Sequence, residues 1–183
     1  MKFKKATMED FDAAFDFIEK LWSYNTYDKD EIKDIYRQVI DDPACSVFFA
    51  VENGQYRGFC HCAFFPTFWL SGMTCYLSGI ITAEDVRGKG YGVAIMDEVK
   101  RQAAERGCKG IVLDSGMPRT EAHAFYEKYG FDKGCYGFDL IFCYPPYVTL
   151  SLSFLLRCGR LSPSSETSGI CPAASEKRKE WKQ

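Results

Sequence analysis

Histidine is scarce in this chain, with two among 183 residues, and no two cysteines stand at Cys-x-x-Cys spacing. No metal ligand set is expected from such a sequence. A basic surplus is also missing: 23 Lys and Arg face 25 Asp and Glu, for a formal net charge of −2. Contact with a phosphate backbone needs an excess of positive charge, so nucleic acid is not an expected partner. No uninterrupted apolar run reaches the ~20 residues that cross a bilayer. The longest candidate, Leu140 to Leu156, is broken by Pro145-Pro146, Ser151 and Ser153, so membrane association is only the alternative expectation. The first residues lack the apolar core of a signal peptide. Nine cysteines are present, an odd number in a chain long for a disulfide-stapled mini-domain, and a reducing cytoplasmic setting is expected.

What remains, 46% hydrophobic and 26% charged residues, suffices for one globular domain with a sizeable core but not for two. Charge is uneven along the chain. Residues 1–150 hold 17 basic and 22 acidic residues, whereas 151–183 hold 6 and 3. The last stretch is also rich in serine, with Ser162-Pro163-Ser164-Ser165 reading as a linker. A domain over 1–143 and a poorly ordered Ser-rich tail over 144–183 are expected.

Within the domain, Phe3 to Lys5 suits a short strand, and Thr7 with Asp10 suits a capping box before a helical stripe at Phe11, Ala14, Phe15, Ile18 and Leu21 or Trp22. Asp28 or Asp30 would cap a second helix closed by Pro43. Cys45 to Val51 and Tyr56 to Phe65 flank Asn53-Gly54, a two-residue turn signal that makes them an antiparallel hairpin. A loop holding Pro66 and Gly72 leads to a third strand, Met73 to Ile81. A Gly-rich turn then opens a helix with Val93, Met96, Val99 and Ala103 on one face, ended by Gly107. A strand at Ile111 to Asp114, a helix at Glu121 to Tyr129 ended by Gly130, and a strand from Tyr136 to Phe142 or Tyr144 complete the order. Strands alternate with helices only in the second half, so the fold class is α+β with a mixed sheet rather than a doubly wound one.

Arg87-Gly88-Lys89-Gly90-Tyr91-Gly92 lies between a strand and a helix. Exposed amides and the positive helix end there favour an anion, glycines admit close approach of phosphate oxygens, and Arg87 and Lys89 add charge of the right sign. Neither common nucleotide motif is met: Val93 stands where the dinucleotide pattern needs glycine, and Gly90 follows Lys89 where the P-loop needs Ser or Thr.

About thirty residues further lies Ala122-His123-Ala124-Phe125-Tyr126-Glu127-Lys128-Tyr129-Gly130-Phe131. Together the two motifs resemble the GNAT superfamily of acyl-CoA-dependent N-acetyltransferases. Its Arg/Gln-x-x-Gly-x-Gly/Ala turn is met by Arg87, Gly90 and Gly92, and its helix by Ala122, Phe125, Tyr126, Lys128, Gly130 and Phe131. The resemblance covers Phe3 to Phe142 and implies a mixed, mostly antiparallel central sheet flanked by helices, the GNAT-like acyl-CoA N-acyltransferase fold. It implies acetyl-CoA as co-substrate, no metal, and a small-molecule or peptide amine as acceptor, in a monomer or homodimer. By the same resemblance Arg87, Gly88, Lys89, Gly90, Tyr91, Gly92 and Val93 hold the pyrophosphate. The backbone of Ile80, Ile81 and Thr82 lies along the pantetheine arm, with one N–H able to polarise the thioester carbonyl. Tyr126 is the general acid toward the departing thiolate. Arg119 stands where the family often has a cofactor-contacting asparagine, and reads either as a cofactor or acid contact or as a loop cap.

The chain departs from the pattern at the base. Ser78 and Gly79 occupy the positions where many members carry a carboxylate, and neither accepts a proton strongly. Glu84 and Asp85 read as solvated loop acids, and no base is assigned. The alternative function is therefore a weak or inactive acyl-CoA-binding module. His61 alternates with Cys60 and Cys62 on a strand and reads as structural, and His123 as a surface residue. Asp114 either orients an amine or caps its loop. Phe64, Phe65, Phe68 and Trp69 either wall an acceptor pocket or pack the core.

Overall fold

Two aspartates set the start of the chain's first two helices. In the computed structural model, which describes residues 1–138, strand β1 (Lys2–Lys5) leads through a single 3-10 turn, Met8–Asp10, into α1 (Phe11–Leu21). Asp10 Oδ2 accepts from the amide and the hydroxyl of Thr7, each at 2.9 Å. The same carboxylate accepts from the Lys4 ammonium and the Tyr56 hydroxyl. Asp28 then caps α2 (Lys29–Asp41) by accepting from the amides of Asp30 and Glu31 at 2.9 and 3.0 Å.

Strands β2 (Cys45–Glu52) and β3 (Gln55–Thr67) meet at Asn53-Gly54, whose φ values of 52° and 76° make the turn that matches strand twist. Next come β4 (Gly72–Thr82), α3 (Tyr91–Glu105), β5 (Gly110–Val112) and α4 (Thr120–Tyr129). The sheet order is β1-β2-β3-β4-β5, antiparallel throughout except for the parallel β4/β5 pair. Only that pair needs a crossover, and α3 supplies it. The mixed, mostly antiparallel sheet flanked by helices is thus the architecture observed.

Alternation along the strands divides the core between the two faces. On one face Val47, Phe49 and Phe59 pack with Phe11, Phe15, Phe17 of α1 and Tyr36 of α2. On the other, Cys60, Cys62, Phe64, Cys75 and Leu77 pack with Ile95, Met96, Val99 and Ala103 of α3. Gly107, at φ 67°, ends α3, with the Cys108 amide bonded back to Ala103 at 2.9 Å.

Three sequence expectations are corrected. Pro66 lies in β3 opposite Met73, not in a loop. Pairing of β3 with β2 ends at Ala63, so a residue without an N–H there sacrifices no ladder bond to β2. Val93 is not on the buried face of α3: it sits in the first turn, exposed, and Ile95 takes its place in the core. The expected final strand is absent over 136–138, which carry no regular structure, and the rest of it lies outside the described residues. The chain divides into units Met1–Phe131 and Asp132–Gln183. The stretch from Leu140 to Leu156 and the Ser-rich tail lie outside the described residues.

Burial would push the Asp10 carboxyl up, but its bonds from Lys4, Tyr56 and Thr7 outweigh burial and hold it at about 2. Because this is below the unfolded value of ~3.9, the stabilisation is complete above that pH and is lost as pH falls toward 2. Denaturant titrations should show Asp10→Asn to be less stable by about 1–3 kcal/mol at pH 7, with the gap to the native protein closing between pH 4 and pH 2.

Candidate active site

The Gly-rich turn is built by alternation of backbone handedness. The Arg87 and Lys89 amides bond to the Glu84 and Val86 carbonyls, each at 3.2 Å, while Gly88 and Gly90 adopt φ of 75° and 86°. A Cβ at either glycine would meet nothing within 4 Å, so open space lies above both. The first helical bond of α3 runs from the Ala94 amide to the Gly90 carbonyl at 3.1 Å, leaving the Tyr91, Gly92 and Val93 amides without helical acceptors. Open glycines, free amides and the exposed Arg87 and Lys89 form a cradle for an anion. Two side chains brace it: Arg57 reaches Asp85 at 2.6 Å, and the Tyr91 hydroxyl donates to Glu52, which also pairs with the N-terminal ammonium at 3.3 Å. Tyr91 therefore offers the cradle its backbone, its side chain being spent on β2.

Upstream of the turn, β4 is paired along its length to β3, with Ile80, Ile81 and Thr82 opposite Cys60, Phe59 and Gly58. On its other side β5 pairs only Thr74, Cys75 and Tyr76. From Leu77 to Thr82 the β4 edge is open among the described residues, as a binding segment for an extended arm must be. A bulge lies at the start of this open edge. His61 faces Gly79 and Cys62 faces Leu77, so Ser78 is the extra residue.

Helix α4 is fixed to the start of α3. The Phe125 ring lies 3.4 Å from where a Gly92 Cβ would stand, and the Tyr129 hydroxyl donates to Asp97 at 2.7 Å. The two sequence motifs are thereby in contact. Between these anchors Tyr126 is half-buried, edge-on to Phe125 and Phe131, and its hydroxyl makes no hydrogen bond among the described residues. Burial raises its pKa, opposed by the nearby Arg119 guanidinium and reinforced by Cys60. Ile80 and Phe125 pack against the same core, so the open β4 edge and the tyrosine helix share a face of the sheet. Arg119 holds the N-cap position of α4, half-buried.

The remaining candidates separate. Asp85 is engaged by Arg57, and Glu84 is exposed at the head of the 3-10 turn. Asp114 accepts from the Tyr76 hydroxyl at 3.1 Å. Phe64 is core, whereas Phe65, Phe68 and Trp69 are exposed. Cys60 and Cys62 are buried thiols 3.8 Å apart. His123 is half-buried on α4. Sequence reasoning placed Trp22 only in a helical stripe and Tyr76 only within a strand; that Trp22 with Leu21 covers Gly79 and that Tyr76 bonds Asp114 depend on packing and strand register, for which the chain carries no local signal.

A parallel β4/β5 pair that ends after three residues, a Gly-rich turn leading from β4 into α3, and α4 packed against the same core as β4 form the acyl-CoA N-acyltransferase class of fold. The chain belongs to the acetyltransferase (GNAT) family, whose model matches residues 6–131. A curated relative from Bacillus subtilis (strain 168), the uncharacterized N-acetyltransferase YhdJ, is 35% identical over 57 residues, 31% of this chain and 40% of that protein. The chain therefore matches less than half the length of this relative. Among solved structures, a transcriptional regulator from Bacillus halodurans C-125 shares the fold at TM-score 0.71 and 22% identity, covering 77% of this chain and 99% of that one. The aminoglycoside N-acetyltransferase AAC(6')-Iy in complex with CoA shares it at TM-score 0.66 and 16% identity, covering 79% and 93%.

Gly90 carries the conformation that a side chain resists. Gly90→Ala, at φ 86°, should lose about 1 kcal/mol or more of stability in chemical denaturation, whereas Gly92→Ala should stay within about 0.5 kcal/mol of the native protein.

Proposed function

We propose that this chain transfers an acetyl group from acetyl-CoA directly to an amine of a small molecule or peptide, with Tyr126 as general acid. One observation carries this reading: the open β4 edge runs into the anion cradle under the helix that bears Tyr126. The cradle fits a pyrophosphate, because Gly88 and Gly90 leave space that any Cβ would fill. Arg87, Gly88, Lys89, Gly90, Tyr91, Gly92 and Val93 would hold that group, the last through its amide. Ile80, Ile81 and Thr82 would align the pantetheine arm as an added strand does, and Arg119, at the N-cap of the helix that bears Tyr126, would contact the cofactor.

The bound thioester supplies the activated acetyl group. An amide near Ile81 stabilises the negative charge that develops on its carbonyl oxygen. Held protonated by burial, the Tyr126 phenol donates its proton to the departing sulfur. Positioning both partners in one complex removes the entropic cost of their encounter. The AAC(6')-Iy neighbour is named for an aminoglycoside acceptor, which supports an amine-bearing small molecule here. We assign the chain a cytoplasmic location, supported by six free cysteines among the described residues, with no nucleic-acid or membrane partner, acting as a monomer or homodimer.

A thiol-release assay over a panel of amines tests the reading. The native protein should release free CoA with at least one amine, and acetyl-CoA binding with no release would leave the non-catalytic module that Ser78 and Gly79 suggest. Tyr126→Phe should lower kcat about 10²-fold while the Kd for acetyl-CoA stays within about twofold. We further propose that the transferase domain is 1–143 and that 144–183 is a tail outside it. A chain truncated after 143 should keep full-length kcat/KM, and loss of activity in a folded truncation would move that boundary.

A further inference from the structure

A carboxylate stands where β5 leaves β4. Tyr76 and Val112 are the last residues in register, and Asp114 follows two residues on, level with the start of the free β4 edge. Ile111 and Leu113 pack into the core on the α3 side, as do Cys75 and Leu77 of β4. By alternation Tyr76, Val112 and Asp114 point to the opposite side, the one that carries α1. The hydrogen bond from the Tyr76 hydroxyl to Asp114 Oδ2, at 3.1 Å, fixes the carboxylate there. Asp114 is exposed, and among the described residues it pairs with no lysine or arginine and accepts from no backbone amide. It therefore does not cap the loop that follows. Tyr76 orients a charge that the fold itself leaves without a counter-ion.

The surface beside Asp114 is aromatic and uncovered among the described residues. Phe65, 42% exposed, lies against Tyr76 with ring centroids 6.5 Å apart. Leu21 and Trp22 bound this surface on the α1 side, at 3.0 and 3.1 Å from where a Gly79 Cβ would stand. A ligand resting on the Tyr76 and Phe65 rings meets the free β4 edge at Leu77 and Ser78, before the part of the sheet that Leu21 and Trp22 cover. From there the edge leads directly to Ile80 and Ile81, along which the cofactor arm would lie. At ~3.3 Å of strand per residue, Asp114 is roughly 7–10 Å short of their level.

We propose that Asp114 binds a second cationic group of the acceptor, so that the substrate is an amine carrying two or more positive charges rather than a monoamine. The assignment rests on the acetyl-transfer reading above and names the class of acceptor for it. A carboxylate in direct contact with the reacting nitrogen would favour its charged form and hold back the lone pair that attacks the carbonyl carbon. The spacing from Asp114 to Ile80 and Ile81 avoids this. It leaves the reacting amine at the free edge and seats the other ammonium on the carboxylate, with the chain between them lying over Tyr76 and Phe65. Aromatic faces suit such a chain, since they accept both methylenes and the cations that flank them. Asp114 selects and orients the acceptor in this arrangement and takes no proton from it.

Thiol release by the full chain tests the assignment with acceptors of equal length: pentylamine, pentamethylenediamine and aminopentanoate, which end in a methyl, an ammonium and a carboxylate. The native protein should prefer the diamine to the monoamine by about tenfold in kcat/KM and should use the amino acid least. In Asp114→Asn the ratio of diamine to monoamine should fall to about one, chiefly through KM for the diamine. Asp114→Lys should reverse the order and favour aminopentanoate, a change that loss of structure does not produce. Asp114→Glu, which keeps the charge, should keep part of the preference. Each variant should bind acetyl-CoA within about twofold of the native protein. A native protein that releases CoA with other amines but shows no preference for the diamine overturns the role of Asp114 and leaves acetyl transfer standing. So does a folded Asp114→Asn or Asp114→Lys with the native order of acceptors. A native protein that releases no CoA with any amine overturns acetyl transfer itself, and this assignment with it.

Discussion

Everything at the site follows from where β5 stops. Three residues of β5 pair with Thr74, Cys75 and Tyr76, and the next six residues of β4 then run with one edge free among the described residues. A strand with one free edge keeps amides and carbonyls available, and the bulge at Ser78 adds the local twist that turns it away from its neighbour. The Gly-rich turn lies at the end of this free edge because the chain must leave β4 to enter α3. Amides without helical acceptors are an unavoidable product of starting a helix, so geometry alone puts a strand with a free edge and a turn with free amides in series.

Holding that arrangement open requires rigidity elsewhere. The Asp10 carboxylate ties β1, β3 and the entry to α1 into one buried node, and the interlocking rings of Phe49, Tyr56, Phe59 and Phe17 fill the face behind it. The opposite face is tied by α3, to which α4 is fastened at both a ring contact and a hydrogen bond. Tyr126 is consequently positioned by helix-to-helix packing, its hydroxyl making no hydrogen bond among the described residues.

Much of this was legible in the residues. Asn53-Gly54, Asp28, Gly107 and Gly130 act through their own backbone conformation or their own short-range bonds, and each marks the turn or helix end expected of it. The Gly-rich turn and the Phe125-Tyr126 helix were readable for the same reason. Pro66 and Val93 were misplaced because their environments depend on partners distant in the chain: where β2 ceases to pair, and which part of α3 meets the sheet. The surroundings of His61 were unreadable because β3/β4 register, with its one-residue slip, is written nowhere near His61 itself.

The sequence by itself determined the elements, their order and the two motifs, since these arise from interactions within a few residues. Only the tertiary structure decided that β4 and β5 part company, that Gly92 and Phe125 touch, and that His61 stands opposite Gly79 at the bulge. Those are properties of register and packing, in which one residue of slip moves every side chain to the other face.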